Sequence, residues 1–128
     1  MNLYQDALID HYRNPRNRGI LEHADFKSGE DNPSCGDSVQ LYGRVKDGRL
    51  VAVSFEGTGC VISQAAASML TQKVLGQDLH EIMKLDADFM RALVGIELGP
   101  TRVRCALLAL EALQKGVREY QKCSIERK

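Results

Sequence analysis

Three cysteines stand beside turn-forming residues: Cys35 in Asp31-Asn32-Pro33-Ser34-Cys35-Gly36-Asp37, Cys60 at the end of Glu56-Gly57-Thr58-Gly59-Cys60, and Cys105 five residues past Pro100. Each is expected where a backbone element begins. A thiol in a Gly-rich turn or at a helix start faces backbone N–H groups and the positive end of the helix dipole, a setting that favours the metal- or sulfur-binding thiolate. A single cysteine would be read as a core side chain, because cysteine is among the most buried residue types. Three of them, each near a turn containing Gly or Pro and one followed by an acid at i+2, point to a ligating or reactive set. Asp37 faces the same way as Cys35 at a strand entrance, and Gly36 between them leaves room for close approach. Three thiolates and one carboxylate form a four-ligand set suited to zinc or to an iron–sulfur unit. No CxxC pair occurs, which argues against a rubredoxin-like or zinc-ribbon site.

The elements that must position these residues follow from periodicity. Leu3, Tyr4, Ala7, Leu8 and Tyr12 recur at helical spacing, so residues 2–13 are predicted to form a short amphipathic helix ended by Asn14-Pro15. Residues 18–36 read as irregular, with 24–30 as an edge strand. Val39, Leu41, Gly43 and Val45 alternate with polar neighbours, Lys46-Asp47-Gly48-Arg49 turns the chain, and Leu50, Val51, Val53 and Phe55 return it. Such a hairpin brings the end of its second strand, and hence Cys60, beside Asp37. After Cys60 a helix crowded with small residues is expected to close at Gly76, its Ala65-Ala66-Ala67-Ser68 run allowing close packing. Segments 78–83 and 86–94 follow, each opening on an aspartate suited to N-capping. Gly99-Pro100-Thr101 introduces a last helix with a wide apolar stripe from Val103 to Val117. Strands first and helices after them predict an α+β fold: a three-stranded antiparallel sheet with helices on one face.

At 128 residues and 44% hydrophobic content, residues 1–128 are expected to form one domain with a core large enough to need no disulfide. Lys+Arg and Asp+Glu balance at 17 each, which argues against a nucleic-acid binder. Residues 100–128 are the basic part, with seven Lys/Arg against three Asp/Glu. The opening Met1–Asp6 lacks the basic leader and apolar core of a secretory signal, and no run has the length of a membrane span. A cytoplasmic location is the expectation, where thiols stay reduced and serve metals or catalysis.

The three cysteine stretches, Asp31 to Asp37, Gly57-Thr58-Gly59-Cys60-Val61-Ile62-Ser63-Gln64 and Arg102-Val103-Arg104-Cys105-Ala106, together with Asp10-His11-Tyr12-Arg13-Asn14-Pro15-Arg16-Asn17, resemble the IscU/SufU/NifU N-terminal type of iron–sulfur cluster assembly scaffold. The resemblance covers essentially the whole chain. It implies a carrier rather than an enzyme with turnover, one that accepts sulfur from a cysteine desulfurase, binds iron, builds a transient [2Fe–2S] cluster and passes it to recipient apoproteins. The implied ligands are Cys35, Asp37, Cys60 and Cys105, with the three cysteines as candidate persulfide acceptors. Arg104 stands where the IscU branch has a histidine, so Asp37 is left as the fourth ligand. The 44 residues between Cys60 and Cys105 leave little space for the insertion usual in the SufU branch. Leu98-Gly99-Pro100-Thr101-Arg102 only loosely follows the chaperone-recognition segment of the IscU branch, which leaves a dedicated chaperone open. The alternative is a zinc-dependent sulfurtransferase, zinc holding the site until a desulfurase displaces one ligand. An electron-transfer iron–sulfur protein is disfavoured by the oxygen ligand, and a structural zinc module by the size of the core.

Of the remaining polar candidates, His11, His23 and His80 are expected at the surface or in caps, and Cys123 as an incidental exposed thiol in a basic tail. Arg102 and Arg104 either stabilise the thiolates or an incoming persulfide by charge, or project to solvent.

Overall fold

In the computed structural model, residues 3–34 and 36–126 are described. The chain runs α1 (Leu3–Arg13), β1 (Phe26–Asn32), β2 (Asp37–Lys46), β3 (Arg49–Thr58), α2 (Val61–Val74), α3 (Leu79–Met83), α4 (Ala87–Val94) and α5 (Pro100–Glu126). The strands form an antiparallel meander in the order β1-β2-β3. Opposed pairs Ser28↔Leu41↔Phe55 and Phe26↔Gly43↔Val53 line its inner face. Asp47 and Gly48 close the β2–β3 hairpin with φ of 53° and 76°, the paired positive values that a two-residue turn of matching twist requires.

The edge strand sits two residues later than the sequence suggests. Asp31 and Asn32 pair with Ser38 and Asp37, so the ladder continues two residues beyond the expected strand end, up to the turn into β2. The turn closes through the Gly36 N–H donating to the Asn32 carbonyl at 3.0 Å, with Gly36 at φ 71°.

Helices cover the inner face. α5 packs on β1 and β2, and α2 on β3 and α5. Gly116 permits the α5 approach, since a side chain there would overlap the Phe26 ring and crowd Ser28. Ala65, Ala66, Ala67 and Ser68 are all at 0% exposure, because α2 is enclosed by the sheet, α5 and α1. Residues Asn17 and Gly19 exchange backbone hydrogen bonds with Phe55 and so cover the outer edge of β3. The outer face stays polar: Lys27 lies 5.6 Å from the Tyr42 ring centroid, and the Tyr42 hydroxyl donates to Glu56 at 2.5 Å.

His11 departs from the expected surface role. It is half-buried, and its Nδ1 lies 2.8 Å from Ser68 Oγ, which also accepts the Arg16 N–H at 2.8 Å. These bonds and buried Leu8 dock α1 on α2. Burial, aided by the nearby Arg16 charge, holds the His11 pKa below its ordinary 6.5. His23 and His80 are exposed, as expected. No helix among the described residues is long and apolar enough to cross a membrane.

Candidate metal and sulfur site

Asp37 opens β2, Cys60 caps α2 and Cys105 lies in the second turn of α5. Their ligand atoms lie within 4.8 Å of one another. The hairpin register explains the first pair: Ser38 opposes Thr58, so the residue before one strand position and those just after the other come together. Asp37 is only 2% exposed. Its Oδ1 accepts the Cys60 N–H at 2.7 Å, and its Oδ2 accepts the Cys60 thiol at 3.5 Å. Asp37 therefore fastens the Cys60 loop to the start of β2. Gly59, at φ 136°, is what permits the contact, since a Cβ there would overlap Asp37 Oδ1.

Cys60 carries out the helix-start role expected of it. Its backbone is extended and its Sγ accepts the Ser63 N–H at 3.4 Å, which places a sulfur at the partly positive helix terminus. Cys105 does not follow that pattern. The Val103 N–H already bonds the Gly99 carbonyl, so helical bonding is established before Cys105, and its position at the site comes from the direction of α5 rather than from a turn. Cys60 is exposed and Cys105 is 3% exposed. Cys35 lies outside the described residues.

Sequence reasoning missed Gln64. Its Nε2 donates to the carbonyls of Ser38 at 3.4 Å and Thr58 at 3.1 Å and to Ser63 Oγ at 3.0 Å, so one amide clamps both strand ends to the start of α2. Its spacing of four from Cys60, on the same helix side, was the available signal. Arg102 and Arg104 are both exposed. Arg104 acts on Glu111, countering the upward push that burial and Glu30 exert on that carboxyl. Cys123 is exposed, as expected, but within α5 rather than in a tail beyond it.

A cavity of about 690 Å³ opens between α1 and the starts of α2 and α5, with Ile9, Val61, Ile96 and Arg102 on its walls beside Cys60 and Cys105. The thiols are thus reachable from a largely apolar recess. The donor set itself suits a thiophilic metal. Ligand atoms around a tetrahedral zinc with Zn–S bonds of about 2.3 Å stand roughly 3.5–3.8 Å apart, and the Asp37 Oδ2 to Cys60 Sγ separation is 3.5 Å.

Comparison with known proteins agrees with the geometry. Residues 3–127 match the family model described as NifU-like N terminal domain. The zinc-dependent sulfurtransferase SufU of Bacillus subtilis is 38% identical over 90% of this chain and 89% of that protein. The iron–sulfur cluster assembly scaffold protein IscU 1 of Archaeoglobus fulgidus is 35% identical over 92% of this chain and 76% of that one. Among solved structures, a candidate iron–sulfur cluster assembly scaffold protein for the SUF system from Fervidobacterium islandicum AW-1 superposes with a TM-score of 0.77 at 28% identity, covering 88% of this chain and 94% of that one. An α+β meander covered by helices, a carboxylate and two thiols gathered at one sheet end, and a family match over nearly the full length lead to one assignment: the chain belongs to the NifU-like N-terminal domain family of iron–sulfur cluster assembly scaffolds.

Proposed function

We propose that the protein is a cytoplasmic carrier which receives sulfur from a cysteine desulfurase, binds iron, assembles a transient [2Fe–2S] cluster and delivers it to apoproteins, residues 1–128 acting as one scaffold domain. The observation that carries this reading is the convergence of Asp37, Cys60 and Cys105 within 4.8 Å from three separate elements. Cys35, two residues before Asp37 in the sequence, is the fourth ligand of the reading. A carrier has to hold its cargo and then yield it. Thiolates supply the affinity, and a carboxylate oxygen binds a thiophilic centre less firmly, so Asp37 is the bond that opens when a recipient thiolate attacks. Exposure of Cys60 and the recess beside it give that thiolate a route. Anaerobic incubation with a desulfurase, cysteine and ferrous iron, followed by visible absorption, tests the proposal. Colour that forms and then moves to an apo-ferredoxin supports it.

A zinc-dependent sulfurtransferase is the second reading, favoured by the similarity to a protein of that name. Zinc would be held by the same residues and would keep the thiols in their deprotonated form. In the same experiment, persulfide formation with zinc retained and no transferable colour selects this reading.

A further inference from the structure

We propose that Cys60 and Cys105 act as a dithiol couple that reduces a bound persulfide to sulfide, Cys60 carrying the sulfur and Cys105 expelling it. The inference rests on the reading of this site as a sulfur acceptor and adds a redox step to it. Its basis is an asymmetry between two neighbouring thiols. Both line the recess, but Cys60 is exposed at the head of α2, whereas Cys105, in the second turn of α5, is only 3% exposed. An incoming donor therefore meets Cys60 first. Yet the two Sγ atoms lie within 4.8 Å, so the thiol with the poorer access to outside donors is a close neighbour of the other. A solvent-accessible thiol poised next to a resolving thiol is an arrangement common among redox-active cysteines.

The chemistry balances without metal. A low-molecular-weight or protein persulfide R–S–SH gives its outer sulfur to the Cys60 thiol, leaving Cys60 as its own persulfide and releasing R–SH. The Cys105 sulfur then attacks Cys60 Sγ, the inner sulfur and the one it faces. A Cys60–Cys105 bond forms, the bond to the outer sulfur breaks, and that sulfur leaves with the Cys105 proton as hydrogen sulfide. The sulfane sulfur gains two electrons and each cysteine sulfur loses one. A dithiol reductant resets the couple by reducing the disulfide.

The test uses the full-length protein, stripped of metal by a chelator under anaerobic conditions with no added thiol. It is loaded with cysteine persulfide, desalted, and followed for released sulfide and by peptide mapping. The expected result is sulfane sulfur first on Cys60, then one sulfide released per Cys60–Cys105 disulfide. In Cys105→Ser the Cys60 persulfide should persist roughly tenfold longer with no disulfide. Cys105→Ala serves the same purpose if the serine variant fails to fold, and mapping of the wild type needs no variant. Equal persulfide lifetimes in wild type and variant, sulfur accumulating on Cys105, a disulfide joining another pair, or failure of Cys60 to load would each overturn the proposal. Because the donor is a small molecule, the outcome is separate from that of the desulfurase experiment: loading by cysteine persulfide but not by a desulfurase would count against the partner assignment alone.

Discussion

The two ends of the sheet are closed by different means. At the hairpin-turn end, backbone meets backbone: Leu50 N–H to the Gln77 carbonyl at 3.0 Å, Gly76 N–H to the Leu50 carbonyl at 2.7 Å, and Leu79 N–H to the Gly48 carbonyl at 3.0 Å. At the cysteine end, side chains make the closure: Asp37 takes the Cys60 N–H, Cys60 takes the Ser63 N–H, and Gln64 binds the Ser38 and Thr58 carbonyls. Backbone closure leaves nothing over for a ligand. Side-chain closure leaves thiol and carboxylate atoms with capacity for a further partner, so the end that is less self-sufficient is the one proposed to bind.

Breaking the cysteine end should have the largest effect. Gly59→Ala pushes a methyl group into Asp37 Oδ1 at a backbone φ of 136°, and should weaken zinc binding about 10–100-fold, the range for losing a group that orients a ligand. Competition titration with a chromophoric chelator measures it, and unchanged affinity would show that Asp37 need not approach Cys60 so closely. Next in size is the response to metal removal. Hydrogen exchange of the Cys60 and Ser63 amides should quicken by about tenfold, while the Leu50, Gly76 and Leu79 amides stay as they were. A uniform change along the chain would erase the contrast between the two ends.

The turn end provides the converse. Gly48→Ala places a side chain at φ 76° and should cost about 1 kcal/mol of stability, read from a denaturant midpoint, without altering metal stoichiometry. The smallest effect is expected from His11. Since its folded pKa lies below 6.5 through burial and the Arg16 charge, the unfolded chain binds the proton more readily. The docked neutral imidazole therefore contributes fully above about pH 6.5, and that contribution is lost as pH falls through the folded value. Thermal midpoints compared between pH 7.5 and 5 should drop more in wild type than in His11→Gln. Equal drops would assign the pH response to other groups.

One side of this site is legible in the sequence and the other is not. The Asp37–Cys60 meeting follows from an antiparallel register fixed by a two-residue Asp47-Gly48 turn, which is local information. Cys105 reaches the same place only because α5 crosses β1 and β2 in one direction, which depends on how Gly116 fits against Phe26. No spacing along the chain encodes that. The edge strand lies two residues later than its pattern suggests because its last residues, Asp31 and Asn32, are polar and owe their extended form to pairing with β2. His11 escapes sequence reasoning for a related reason: its partner Ser68 is 57 residues away. Periodicity reports which face of α1 is apolar but not which polar atom faces α2.

The most direct test of the central claim, that Asp37, Cys60 and Cys105 belong to one centre, is cobalt(II) substitution read by visible absorption on wild type and Cys105→Ser, with Cys123→Ser as the control and circular dichroism confirming that each is folded. One centre predicts a thiolate-to-cobalt charge-transfer band at one cobalt per chain in wild type and in Cys123→Ser, and a band that is weakened and shifted with sub-stoichiometric binding in Cys105→Ser. An unchanged spectrum and full stoichiometry in Cys105→Ser would contradict it.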